Sequence, residues 1–211
     1  MFIWEKGDDK MKKIYTCRYD RTFKEIFMNE NNKDILSKLL ESILDVEIYE
    51  IKYLNLEKNS SNIHIKSKRF DLHLKTNIGY IQVEVNTSSE DYVRVRNTAY
   101  LCDTYSHYTL SGENYDKEYK IIQINFSYGV KNNNELSIYK LKDEYDKQFV
   151  DNLMIYEFYM DKLLYLWHNK DKKNIDKYKY VMMLDLLPEE LKDLSKDKVV
   201  DKYMEELERV N

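Results

Sequence analysis

Hydrophobic and polar positions along the chain alternate in periods that change at recognisable boundaries. Across residues 22–44 the apolar side chains Phe23, Ile26, Phe27, Ile35, Leu36, Leu39, Leu40, Ile43 and Leu44 recur three and four apart, with a polar break at residues 29–32. That spacing predicts one helix, or two short ones, with an apolar stripe. Residues 48–56 are rich in branched and aromatic side chains and predict a strand that ends in the turn-forming run Asn59, Ser60, Ser61, Asn62. Two strictly alternating segments follow. Phe70, Leu72 and Leu74 fall on one face and Asp71, His73 and Lys75 on the other; past residues 77–79, Ile81, Val83 and Val85 oppose Tyr80, Gln82, Glu84 and Asn86. The pattern predicts a β-hairpin with one apolar and one polar face. A two-residue loop at Asn77 and Ile78 puts Asp71 directly opposite Glu84, and a three-residue loop makes them close diagonals on the same face.

Residues 90–110 contain no helix breaker and place Tyr92, Val95, Ala99 and Cys102 on one helical track, with Arg96, Tyr100 and Asp103 beside it; Gly112 suits the helix end. Residues 119–126 then read as a strand, so strand, helix and strand form a crossover unit with parallel strands. Further strands are predicted at residues 136–141 and 153–159, and helices from Asp161 onward, with Pro188 at a helix start. The fold class is therefore α/β (α+β), with a mixed sheet in the order helix, three strands, helix, strand. The expected organisation is a tail over residues 1–17, a core over 18–141, and a strand and helical extension packed on that core over 142–211. Met11, followed by Lys12 and Lys13, reads as an alternative start.

Composition narrows this picture. With 211 residues, 43% hydrophobic, only 4 Gly and 1 Pro but 20 Tyr, the chain suits a densely folded protein and not a disordered one. Two cysteines are too few for a disulfide framework, and no apolar run approaches the roughly 20 residues of a membrane span, so a cytoplasmic protein without membrane contact is expected. The net charge of -4 argues against a broadly basic nucleic-acid surface. It is unevenly spread: through Leu141 there are 21 Lys and Arg against 21 Asp and Glu, and after it 13 against 17. A polyanion site thus belongs in the first two thirds, where Lys58, Lys66, Lys68, Arg69 and Lys75 form a modest basic flank.

Candidate chemistry centres on the hairpin. Two carboxylates facing each other across strands repel, and a divalent cation relieves the repulsion. Asp71, Glu84 and a backbone carbonyl such as that of Val85 are oxygen ligands of the kind Mg²⁺ takes, the ion keeping water or a substrate phosphate at its other positions. The alternative is that Asp71 and Glu84 are surface residues of a solvent-facing sheet, with His73, Lys75 and Gln82 as ordinary neighbours. The four histidines show no ligand spacing, and His73 reads as a surface residue. Tyrosines 92, 100, 105, 108 and 115 suit either stacking on bases or helix packing.

Several of these residues together resemble a known family. Asp20-x-x-Phe23-Lys24-x-x-Phe27, then Asp71, then Glu84-x-Asn86, then Tyr92-x-x-x-Arg96-x-x-x-Tyr100 and the run Gly112, Glu113, Asn114, Tyr115 are similar in order and spacing to the PD-(D/E)XK nuclease family transposases, relatives of the recombination-promoting nucleases. The resemblance covers about residues 18–128 and implies a restriction-endonuclease-like core and a metal-dependent endonuclease that hydrolyses DNA phosphodiester bonds with Mg²⁺, or Mn²⁺, as cofactor. Asp71 and Glu84 match the catalytic and metal-binding acids, while Asn86 stands where the family motif has lysine, leaving it only hydrogen bonds with which to orient water. Lys75 and Arg96 are the candidate replacements for the missing charge; Asp20, Gln82 and Tyr100 are accessory candidates, Asp20 equally suiting a helix cap. The alternative is a weakened or inactive nuclease-fold module for DNA or protein interaction. By analogy with the fold's relatives, a homodimer stands as an open expectation.

Overall fold

The computed structural model describes residues 13–54, 70–109, 119–194 and 196–211. The chain forms two compact units: one joins the described residues up to Glu47 to Leu166–Asn211, and the other is Ile48–Tyr165. Among the described residues the elements are α1 (Asp20–Phe27), α2 (Lys33–Leu44), β1 (Ile51–Tyr53), β2 (Leu72–Thr76), β3 (Gly79–Asn86), α3 (Asp91–Thr109), β4 (Lys120–Ser127), β5 (Leu136–Lys140), β6 (Leu153–Tyr159), α4 (Met160–His168), α5 (Lys172–Met182), α6 (Pro188–Leu194) and α7 (Lys198–Val210). None of these helices is long and apolar enough to cross a membrane.

In the helical unit the polar break after Phe27 becomes a single 3-10 turn, Glu30–Asn32, so the predicted stripe is carried by two helices. Asn32 holds the break by donating to the Ile26 carbonyl and to the Glu206 carboxylate. Phe23, Ile26 and Phe27 of α1 and Ile35, Leu36, Leu39 and Leu40 of α2 are buried, as are Val200, Tyr203 and Leu207 of α7, which packs on both helices. Pro188 opens α6, where its missing N–H costs nothing.

In the other unit six strands form one mixed sheet in the order β1-β2-β3-β4-β6-β5. The β3–β4 and β4–β6 pairs are parallel and the rest antiparallel, which confirms the crossover through α3. The hairpin turn is Asn77 and Ile78, with Thr76 opposite Gly79 and Leu72 opposite Val83. Gly79 has φ +138°, and a Cβ there would lie 2.0 Å from the Lys120 carbonyl oxygen, so β4 can approach only because that atom is missing. β1 is shorter than predicted: it is an edge strand whose pairing spans only Ile51 to Tyr53, opposite Thr76 to Leu74. The expected features at residues 55–69 and 110–118, including Lys58, Lys66, Lys68, Arg69 and the run from Gly112 to Tyr115, lie outside the described residues.

One sheet face carries Leu72, Leu74, Ile81, Val83, Ile122, Ile124, Phe126 and Phe158, all buried. The opposite face is polar, yet it too is buried: His73, Gln82, Glu84, Asn86, Gln123, Asn125, Ser127 and Glu157 are each at most 5% exposed. This corrects the solvent-facing reading of the hairpin, because α3 packs against β3 and β4 on that side. α3 does so through Val93, Asn97, Leu101 and Thr104. Its track of Tyr92, Val95, Ala99 and Cys102 is exposed. The helix lays a mixed polar stripe on a polar face, the pairing that leaves fewest buried groups without a partner.

Candidate active site

The hairpin register sets the first two residues of the site. Continuing the β2–β3 ladder one residue past Leu72 and Val83 brings Asp71 opposite Glu84. Asp71 lies just outside β2, and its Oδ2 accepts the Val85 N–H at 2.8 Å. A strand residue turns its N–H and C=O to the same edge, so the Val85 carbonyl also faces the Asp71 side. Glu84 is 3% exposed and Asn86, two residues on along the same face, 4%.

α3 supplies the cation. Arg96 Nη2 donates to Asn86 Oδ1 at 2.8 Å and lies 3.8 Å from Glu84 Oε2. Its Nε and Nη2 also donate to Asn97 Oδ1, each at 3.2 Å, and the guanidinium stands 5.9 Å from the Tyr100 ring centroid. A positive charge therefore reaches the acidic residue and the amide from the helix, in the neighbourhood that a lysine at position 86 would occupy.

This guanidinium also orients the buried amides. Arginine has donors and no acceptor, so the atoms of Asn86 and Asn97 that face it must be oxygens. Asn97 then turns its Nδ2 toward Asn86 Oδ1 and Asn125 Oδ1, each at 3.3 Å, and Gln123 Nε2 donates to the same Asn125 oxygen at 2.9 Å. Gln82 is oriented independently, its Nε2 donating to the Tyr100 carbonyl and the Thr104 hydroxyl. Asn86 Nδ2, Gln82 Oε1 and Gln123 Oε1 are left buried with no partner among the described residues.

The polar row extends beyond the hairpin. Glu84 is in register with Asn125 of β4, Asn125 with Glu157 of β6, and Glu157 with Ser137 of β5. Glu157 accepts from the Ser127 hydroxyl at 3.3 Å and pairs with Arg94 Nη2 at 3.4 Å, and its charge raises the Arg94 guanidinium above the ordinary arginine value. Sequence reasoning passed over Asn97, Gln123, Asn125, Ser127, Glu157 and Arg94. The alternation of Gln123, Asn125 and Ser127 inside an otherwise apolar strand was the available signal.

Other candidates are placed elsewhere. Lys75 sits opposite Tyr80, its ammonium 5.9 Å from that ring, at the turn end of the hairpin and four residues along the strand from Asp71. That is roughly 13 Å of strand, so Lys75 is not brought to the carboxylates. Asp20 belongs to the helical unit as the first residue of α1; Tyr19 is the cap position, and Asp20 pairs with Lys24 at 2.6 Å. His73 is buried and not on the surface, with its ring 5.0 Å from Phe70 and 5.9 Å from Tyr108. Tyr108 stacks on Tyr80 at 3.6 Å, a packing role, whereas Tyr92 is exposed.

Among the described residues no three His, Cys, Asp or Glu side chains converge as a metal cage. The donors on offer are two carboxylates and a backbone carbonyl. This all-oxygen set of two acids suits a hard divalent ion that keeps several waters. A family model described as PD-(D/E)XK nuclease family transposase matches residues 17–211. No curated protein and no solved structure matches the chain.

Proposed function

The chain belongs to the PD-(D/E)XK nuclease family transposases, and from that membership we propose that it is a divalent-metal-dependent endonuclease acting on DNA phosphodiester bonds. The observation that carries the reading is the convergence of Asp71, Glu84 and Arg96 at the covered polar face of the hairpin. Asp71, Glu84 and the Val85 carbonyl would hold Mg²⁺, with Mn²⁺ as an acceptable replacement. When bound, the ion supplies Lewis acidity and a water of lowered pKa.

The residues of the chain do the rest. Glu84 and Asp71 place negative charge where the cation is needed and keep it there, since Asp71 is anchored on the Val85 N–H. Arg96 offers permanent positive charge to the phosphate as negative charge develops on it. A guanidinium does not release its proton, so Arg96 does not take the proton of the attacking water. Asn86, with its oxygen held by Arg96 and Asn97, can act only through its N–H donors.

A second reading has its own observation. Arg96 already gives Glu84 an ion-pair partner, so the acidic residue is compensated without a metal. On that reading the chain is a nuclease-fold module that binds DNA or protein without cutting. Calorimetry of Mg²⁺ and Mn²⁺ binding to the wild type and to Glu84→Gln, with plasmid cleavage followed in the same buffers and in chelator, separates the two. The nuclease reading expects saturable binding that the variant loses and cleavage that follows it. Binding without cleavage, or no metal binding at all, sets the module reading in its place.

A further inference from the structure

The covered polar face contains a second buried acid that the hairpin motif does not use. Glu157 is 5% exposed and lies two strands from Glu84 in one register row. Strands stand about 4.8 Å apart, so the two backbones are separated by on the order of 10 Å. An ionised carboxylate in such a place is costly unless something holds its charge. Arg94 does this for Glu157 as Arg96 does for Glu84.

The two arginines leave α3 on opposite sides. Val93 and Asn97 face the sheet; Arg94 lies one residue, about 100° of helix turn, beyond Val93, and Arg96 one residue before Asn97, about 100° the other way. One reaches toward β6 and the other toward β3, so the N-terminal half of α3 carries a tethered guanidinium on each flank. Arg94 is the more open, with its side chain 56% exposed, and Glu157 is its hydrogen-bond partner through a single Nη2 contact. A guanidinium has five N–H donors in a fixed fork suited to phosphate oxygens. Most of the Arg94 fork is therefore turned to solvent while its position is set from beneath.

The geometry points to Arg94, positioned by Glu157, as a second phosphate contact beside the same covered polar face, so that a DNA backbone lies across the N-terminal turns of α3 with one arginine on either side. The inference rests on the nuclease reading for its ligand. Glu157 is a positioning residue here: it touches Arg94, and the phosphate meets only the arginine.

The test uses the full chain in chelator, so that cleavage does not intervene, and a fluorescently labelled DNA duplex whose anisotropy is followed over a range of salt concentrations. Truncating Arg94 alone leaves Glu157 buried with an unpaired charge, so the informative protein is the double variant Arg94→Gln, Glu157→Gln, which keeps the net charge at -4 and leaves two groups able to hydrogen-bond. The expected result is a slope of log affinity against log salt about one unit shallower than wild type, with affinity down about five- to tenfold at 0.1 M salt. Lys52→Gln, on the far edge strand β1, removes a cation without touching α3 and serves as control; it should leave the slope within error. A double variant that binds with the wild-type slope and affinity overturns the assignment of Arg94 while leaving the nuclease reading intact. A wild type that binds no duplex at any salt overturns DNA as the ligand, and the inference with it.

Discussion

An arginine beside Glu84 changes what a lysine at position 86 would now do. The Asn86 amide oxygen accepts from Arg96 at 2.8 Å, so Asn86→Lys places an ammonium against a guanidinium. Like charges at that distance repel, and restoring the family's lysine alone is expected to lower both the melting temperature and any cleavage rate. Arg96→Met removes the charge and should slow cleavage by roughly 10²- to 10³-fold, the usual cost of one electrostatic stabiliser. The same variant removes one cation from beside Glu84, so Mg²⁺ binding measured by calorimetry should tighten while cleavage falls. Combining Asn86→Lys with Arg96→Met exchanges one cation for another at the same carboxylate. If the two positions share one role, the pair recovers activity that each single variant lacks, a coupling that a double-mutant cycle measures directly. Additive losses would assign the residues to separate tasks.

At the scale of elements, the hairpin and α3 carry the site, and each has one position that decides it. Gly79→Ala drives a methyl group to 2.0 Å from the Lys120 carbonyl at a backbone φ of +138°. The parallel β3–β4 pairing must open, and the expected loss is on the order of 3 kcal/mol or more, visible as a fall in melting temperature. Under α3, Leu101→Ala should cost about 2–4 kcal/mol, whereas Val95→Ser, at a residue 70% exposed, should leave stability within about 0.5 kcal/mol. These elements also mark how far the sequence could be read. The hairpin register was legible because strict alternation across a two-residue turn admits few pairings, and it brought Asp71 to Glu84 as expected. The direction of α3 was not legible. Its period reveals the track of Tyr92, Val95, Ala99 and Cys102, but the face it covers is lined by Gln82, Glu84, Gln123 and Asn125, and only the sheet's own pairing makes that known. For the same reason nothing in the sequence singles out Glu157 and Arg94 until β6 is seen beside β4.

At the scale of the molecule, the chain returns at Leu166 to the unit it left at Glu47, and that helical unit is held together by groups distant in sequence. Asp197 joins α5 to the start of α7. Its carboxylate caps α7 through the Val199 N–H at 3.0 Å and accepts from Lys179 and Tyr180 at 2.5 Å each. Burial pushes this acid up, but the hydrogen bonds from Lys179, Tyr180 and Val199 outweigh it and leave the folded value at about 2. In the unfolded chain an aspartate titrates near 3.9. A depressed folded value stabilises the protein fully above the unfolded one and loses that contribution as pH falls toward about 2. Asp197→Asn keeps a side chain that caps helices well and removes the charge, so its melting temperature should drop at pH 7. Between about pH 4 and pH 2 its curve should run flatter than the wild type's, because one acid that binds a proton on unfolding is gone. Trp167, which donates to Glu190 within the helical unit, reports the transition by fluorescence in a Trp4→Phe background. Wild-type and variant melts that fall in parallel over that interval would mean the acid limb is set by other carboxylates, and that the link between α5 and α7 is mechanical packing and not the charge on Asp197.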